Sequence, residues 1–180
     1  MKTSTLITAL ASLIFTLNLQ AHEQTANTQT LDNLQRYKLS MVNQDNISRK
    51  VSAMLVESTV DMCHRKGYAV AATVVDRSGI VLAVSRADKA GPLTLASSER
   101  KAVTAVSMKR TTRALMESAQ KFPNAANLVH MPKALLLIGG VPIKFNADVV
   151  GAIGVGGAPD GKFDEECANE ALASFKSFLS

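Results

Sequence analysis

Tryptophan is absent from this sequence of 180 residues, and aromatic residues make up only 4% of it. A nucleic-acid-binding surface built on stacked aromatic rings is therefore not expected. The chain has two cysteines, which is too few for a small disulfide-rich scaffold. Charged residues make up 19% and hydrophobic residues 47%, a composition too apolar for a disordered chain. These proportions are typical of one globular domain, and a net charge of +5 does not by itself identify an anionic partner.

The first 21 residues have the pattern of a secretory signal peptide. Lys2 supplies the positive start, residues 6–19 are dominated by apolar side chains without a charge, and Ala21 is the small residue before the expected cleavage site. That apolar segment is too short for a transmembrane helix, which needs about 20 residues. We therefore expect a periplasmic or secreted protein with no membrane span after cleavage. The alternative is an uncleaved membrane anchor.

The segment that follows, residues 22–37, is polar and lacks a clear period, so we expect a flexible arm. A single domain is expected over residues 38–180. Its first helix is predicted over residues 44–66, with Asn43 as the N-cap and Gly67 as the glycine that ends it.

The rest of the domain alternates strand and helix patterns. The predicted elements are strands at 38–42, 69–75, 80–85, 135–138, 141–145 and 149–155, helices at 95–108, 111–121 and 164–178, and a loop at 123–132. Apart from the short edge strand at 38–42, the order is α-β-β-α-α-β-β-β-α. Strands joined by hairpins predict an α+β fold, with one central antiparallel β-sheet flanked by helices.

Two motifs are weak candidates for other chemistry. Residues 156–162 have the spacing of a phosphate-binding loop, but Phe163 stands where Ser or Thr would hold magnesium, so a glycine-rich turn is the better interpretation. Asp61, Cys63 and His64 include metal-ligand types, but adjacent residues on a helix point about 100° apart, so a metal site is not expected there.

The predicted helix 95–108 and the residues after it are rich in positive charge. The basic residues are Arg100, Lys101, Lys109, Arg110 and Arg113. Lys101, Thr104 and Met108 share one helical face, because residues three or four apart are neighbours on a helix. A cation, a hydroxyl and a thioether suit a flat apolar anion such as haem, whose carboxylates bind Lys or Arg and whose iron binds His, Met, Cys or Tyr. The alternative is a basic face exposed to solvent.

Six short segments resemble one known family. They are residues 75–79, 85–88, 101–105, 139–143, 149–155 and 164–168. Their order and spacing resemble the GlcG/HbpS-like family, also called the haem-degrading domain family, over about residues 38–179. Residues 132–138 depart from the family pattern, which has a shorter, proline-rich approach to the Gly-Gly-Val-Pro motif.

The resemblance implies a compact α+β domain that assembles into dimers or larger rings. It implies haem binding for some members, while others sit beside glycolate or cobalamin metabolism. The leading hypothesis is therefore an exported haem-binding or haem-handling protein that forms a homo-oligomer, with haem or a similar small anionic ligand as its partner. The alternatives are an enzyme or accessory protein acting on a small organic acid or cofactor fragment, and a protein-interaction module.

If haem is the ligand, we expect it beside the basic helix. Arg100, Lys101, Thr104 and Met108 are the expected contacts, with the propionates meeting Lys101 or Arg100. His130 and Met131 are the candidate iron ligands, since imidazole and thioether both bind haem iron.

The resemblance also bears on the two cysteines. In the family fold the first and last helices are expected to pack together on the sheet. If they run antiparallel, Cys63, near the end of the first helix, lies beside Cys167, near the start of the last one. A disulfide needs Cα atoms within roughly 7 Å and an oxidising compartment, which export would supply. The alternative is two buried thiols, because free cysteine packs as a small hydrophobic residue.

Overall fold

The computed structural model describes residues 44–178 together with residues 24, 25, 27–30, 32, 33 and 36. The predicted signal peptide and the predicted strand at 38–42 lie outside the described residues. Within the predicted arm, the described residues have helical geometry. From Asp45 onwards the chain forms one compact unit. No helix among the described residues is both long and apolar enough to cross a membrane.

The first described helix of this unit, α1, spans Arg49–Arg65. It begins later than predicted, with Ser48 as the N-cap. The reason is Ile47, which is buried and whose N–H donates to the carbonyl of Val150, 3.0 Å away. Residues 44–48 are therefore used to join the sheet and not to extend the helix. Gly67 follows the end of α1 with φ of 84°, a left-handed conformation that favours glycine, as predicted.

Four strands of the described residues form one antiparallel sheet in the order β2-β1-β4-β3. They are β1 (Ala71–Asp76), β2 (Val81–Arg86), β3 (Gly140–Phe145) and β4 (Asp148–Gly156). The turn between β1 and β2 is fixed by Asp76, whose carboxylate accepts the N–H groups of Ser78 and Ile80 at 2.8 and 2.9 Å. The predicted α+β fold with a central antiparallel sheet is confirmed.

The helices that follow in the chain are α2 (Thr94–Met108), α3 (Thr112–Lys121), α4 (Pro123–Ala126) and α5 (Gly161–Ser174), with short 3₁₀ turns at Asn127–His130 and Lys176–Phe178. The segment predicted as a loop at 123–132 therefore contains helical turns. The last helix begins at Gly161, three residues before the predicted start, because the Asp160 carboxylate caps it by accepting the Lys162 N–H at 2.9 Å.

The sheet has an apolar cluster on each face, because side chains alternate along a strand. On one face Val74 packs in the same cluster as Leu55 of α1 and Ala168 of α5. On the other face Val75 packs in a smaller cluster with Ala102 of α2. Helices therefore cover both faces of the sheet. Among the described helices, α2 is the one that contributes residues to the smaller cluster.

The strand predicted at 135–138 does not form. These residues make no sheet pairing, and the side chain of Leu137 is 53% exposed. Instead the Leu135 N–H donates to the Thr104 hydroxyl of α2 at 2.9 Å. This backbone donor is therefore not available for pairing with another strand. Gly139, with φ of 126°, then turns the chain into β3.

Candidate ligand site

Close packing of α2 on the sheet determines where its side chains lie. A Cβ atom at Gly154 would collide with the carbonyl oxygen of Ser98, and one at Gly140 with the carbonyl oxygen of Lys101. Because Gly140 of β3 and Gly154 of β4 have no side chains, the α2 backbone packs directly against these two strands. As a result Lys101 is buried beside the C-terminal end of β4 and is not on the exposed face of the helix.

Lys101 forms a buried ion pair with Asp164 of α5. Its Nζ lies 2.7 Å from Asp164 Oδ2, and the two side chains are 5% and 3% exposed. The same ammonium donates to the carbonyl of Val155 at 2.8 Å. The other carboxylate oxygen, Oδ1, accepts the N–H of Ala158 at 3.0 Å. The pair thus ties α2, the end of β4 and the start of α5 together.

Burial shifts the pKa of the Asp164 carboxyl group. It raises the pKa of Asp164 above its ordinary value near 3.8, while the Lys101 ammonium opposes that rise by favouring the charged form. A buried carboxyl with a raised pKa beside a cation is a frequent feature of functional sites, although structural ion pairs show it too.

A cavity of about 310 Å³ lies beside this ion pair. It is lined by Ser97, Lys101, Met116, Leu137, Ile138, Gly157, Ala158, Gly161 and Asp164. Its volume is at the lower end of the range for small-molecule pockets, about 300–1,000 Å³. The wall is apolar on the side of Met116, Leu137 and Ile138, and charged at the ion pair.

The other predicted ligand contacts on α2 also have partners within the chain. The Arg100 guanidinium donates to the carbonyl of Ala134 at 2.5 Å, and the Thr104 hydroxyl accepts the N–H of Leu135 and donates to the Arg100 carbonyl at 2.7 Å. Together they fasten residues 134–135 to the helix. Arg100 remains exposed, whereas Thr104 is buried and Met108 is partly buried.

The candidate iron ligands lie in the segment 122–131, which precedes residues 134–135, the backbone that is hydrogen-bonded to Arg100 and Thr104. His130 ends the 3₁₀ turn at Asn127–His130 and is exposed, and Met131 is 50% exposed. Phe122 and Val129 near them in the chain are 52% and 56% exposed. The segment therefore presents an imidazole, a thioether and apolar surface to solvent.

The correction concerns Lys101. It was expected to meet a propionate from an open helix face, but its ammonium is buried and committed to Asp164 and Val155. Nothing in the spacing of the sequence indicates this pairing, because the two residues are 63 positions apart. The sequence marks Asp164 only as the start of a predicted helix and of a family segment.

The cysteines lie where α1 ends and α5 begins. Cys63 and Cys167 are joined by a disulfide, with Cα atoms 5.6 Å apart and both residues fully buried. The sulfur of Cys63 is therefore unavailable to a metal site with Asp61 and His64. Among the described residues there is no group of three or more His, Cys, Asp or Glu side chains arranged to hold a metal ion.

The segment with phosphate-loop spacing is the connection between β4 and α5. The Asp160 carboxylate occupies the helix N-terminus where a phosphate would bind, which fits the predicted glycine-rich turn.

Arg113, another of the predicted basic residues, pairs with Glu165 at 2.6 Å, and this bond raises the pKa of the guanidinium.

Comparison with known proteins identifies the family. The model of the HbpS-like family, described as haem degrading protein HbpS-like, matches residues 47–173. The chain belongs to the HbpS-like family. Its domain, from the α1 cap to the end of α5, is the part that matches, and the predicted GlcG/HbpS-like resemblance is confirmed.

Relatives of the HbpS-like chain include solved structures that share its fold and a curated protein that matches it in sequence. The crystal structure of a Streptomyces reticuli HbpS double mutant is 33% identical, with a TM-score of 0.70 over 74% of this chain and 90% of that one. Protein GlcG of Escherichia coli strain K12 is 29% identical over 109 residues, which cover 61% of this chain and 80% of GlcG. A PduOC–haem complex, 23% identical with a TM-score of 0.65 over 72% of this chain and 94% of that one, shares the fold. The HbpS-like chain is thus a member of a haem-related family.

Proposed function

We propose that this protein is an exported haem-binding protein. The family it belongs to is described by haem degradation, and PduOC, a protein of the same fold, has been crystallised with haem. The observation that carries the proposal is the exposed His130–Met131 pair of segment 122–131, which lies just before residues 134–135, the backbone hydrogen-bonded to α2. Export is supported by the signal-peptide pattern and by the disulfide, since disulfides persist in oxidising compartments.

The residues of this segment fit haem. His130 or Met131 would hold the iron, because both side-chain types are common axial ligands. Phe122 and Val129, each more than half exposed, supply apolar surface for the macrocycle. Arg100 is the exposed cation on α2 that takes the propionate role first expected of Lys101. Bound haem would supply a redox-active iron, and the chain itself supplies the ligand, the apolar surface and the counter-charge.

A hemin titration followed by absorbance tests this proposal. The wild-type chain is expected to give a saturable Soret shift, and His130→Ala is expected to weaken binding by about tenfold or more. His64→Ala is the matched control, because His64 is also an exposed histidine but lies at the end of α1. It is expected to bind hemin like the wild type.

Met131→Ala and Arg100→Ala separate the roles within the segment. Loss of the iron ligand moves the Soret position, whereas loss of the propionate cation weakens binding and leaves the Soret position unchanged. Absence of a saturable shift in the wild type would rule out haem binding. Equal binding by the wild type and all three variants would place the haem elsewhere.

A further inference from the structure

The cavity beside Lys101 and Asp164 is separate from the segment proposed to bind haem. Neither His130 nor Met131 lines it. Its polar end is the ion pair, whose two side chains are at least 95% buried and yet border the open volume. Gly139 makes room for the ammonium, because a Cβ there would lie 3.0 Å from Lys101 Nζ and 2.8 Å from Asp164 Cβ.

The ion pair retains hydrogen-bonding capacity. A lysine ammonium has three donors, and the hydrogen bonds described for Lys101 use two of them, to Val155 and Asp164. A carboxylate has about four lone-pair sites, and Asp164 accepts from Lys101, from the Ala158 N–H and from the Gly157 N–H, which leaves about one site. A donor and an acceptor therefore lie side by side, 2.7 Å apart, at the polar end of the cavity.

The charges around the cavity are already balanced. Lys101 neutralises Asp164 at 2.7 Å, Arg113 neutralises the adjacent Glu165 at 2.6 Å, and Lys162 lies 3.5 Å from the Asp160 carboxylate. A charged ligand entering the buried end would lack a counter-charge, which is costly in a low-dielectric site. An uncharged ligand would not meet that cost.

A buried ion pair is weak evidence for a purely stabilising role. Replacing a buried pair with apolar residues of similar volume is often neutral or stabilising, because both charges lose their hydration. Here the pair borders a cavity that also has an apolar wall of Met116, Leu137 and Ile138. A few polar groups converging on a mostly apolar pocket are the usual arrangement of a small-molecule site.

We propose that this cavity binds a small uncharged compound through a group with adjacent acceptor and donor, of which a primary carboxamide is the simplest. The carbonyl oxygen accepts from Lys101 Nζ, the amide N–H donates to the Asp164 carboxylate, and a short alkyl part contacts Met116 and Ile138. This site is independent of haem, and its occupant binds without a covalent step.

Isobutyramide is the test compound, and N,N-dimethylisobutyramide and isobutyrate are its matched comparisons. The first comparison lacks the donor, and the second replaces the uncharged group with an anion. Binding is followed by amide NMR of the full chain, with saturable shifts expected at Ser97, Gly157, Ala158 and Gly161. Isobutyramide is expected to bind about tenfold more tightly than either comparison compound.

Ala158→Leu fills the cavity without changing the ion pair, and it is expected to abolish the saturable shifts. Ala173→Leu is the control, since Ala173 is an exposed alanine of α5 outside the cavity. If the spectrum of Ala158→Leu shows that it does not fold, Met116→Phe replaces it. The proposal is overturned if isobutyramide gives no saturable shift, if the shifts persist in the filled cavity, or if isobutyrate binds equally well.

Discussion

The buried position of Lys101 depends on two glycines of the neighbouring strands, Gly140 of β3 and Gly154 of β4. Of the five cations that the sequence groups around this helix, α2 itself contains Arg100 and Lys101. The sequence could not indicate that Gly140 and Gly154 allow α2 to approach the sheet so closely that Lys101 becomes buried. The helix that contains Lys101 was therefore predictable, whereas the burial of its side chain depends on glycines of two strands distant in the sequence.

Removing one partner of this ion pair is expected to destabilise the fold. Lys101→Met leaves Asp164 buried without its counter-charge, which costs about 3–5 kcal/mol. The double variant Lys101→Met with Asp164→Leu removes both charges and is expected to recover much of that loss. Urea unfolding of the wild type, both single variants and the double variant gives the coupling energy. Additive effects would contradict the pairing.

The raised pKa of Asp164 predicts the sign of a pH effect. The native state holds this proton more tightly than the unfolded chain, so the contribution of Asp164 to stability is fully present below pH 3.8 or so and declines as pH rises through the raised pKa. The unfolding free energy of the wild type relative to Asp164→Asn is therefore expected to fall with rising pH across that window. Urea titrations at several pH values measure it, and an opposite slope would mean that the pKa is lowered.

At the level of elements, the well-patterned helices and the first hairpin were predictable to within a few residues. The errors fall where a tertiary contact competes with a local pattern. The start of α1 was predicted too early because Ile47 has helical spacing but its N–H donates to the carbonyl of Val150 in β4. The apolar residues 135–138 were predicted as a strand, but Thr104 and Arg100 hold the adjoining backbone on α2. Hydrophobic runs of this length do not distinguish these outcomes.

The junction of α1 and α5 predicts a thiol count. With Cys63 and Cys167 bonded, the denatured, unreduced protein is expected to have no free thiol, and Cys63→Ala with Cys167→Ala is expected to lose about 2–5 kcal/mol of stability. Thiol titration in denaturant and urea unfolding measure the two quantities. Two free thiols in protein prepared under oxidising conditions would contradict the disulfide.

At the level of the whole molecule, the family defines the fold more closely than the chemistry, because one fold can carry different functional sites.

The β2 edge of the sheet is relevant to assembly. Ile80 and Val84 are 62% and 46% exposed at this edge, whereas the β3 edge contains Pro142, which lacks a backbone donor. Exposed apolar edge strands favour pairing with another chain, so β2 is the expected contact in a homo-oligomer.

Sedimentation tests this assembly. The wild-type chain is expected to form at least a dimer at micromolar concentration, and Val84→Lys is expected to shift it toward monomer. Met54→Lys is the matched control, since Met54 is similarly exposed, at 44%, but lies on α1. A monomeric wild type would contradict the prediction, and equal effects of both variants would exclude β2 as the contact.

The bond between Cys63 and Cys167 also has a topological consequence. Its partners are 104 positions apart, so all four strands and α2 to α4 lie within one covalent ring. A protease that cuts the exposed stretch at 122–133 would open this ring without releasing a fragment. The nicked molecule would keep both pieces attached, and only a reductant would separate them. The chain can thus be cut next to His130 while the disulfide keeps the two pieces in one covalent molecule.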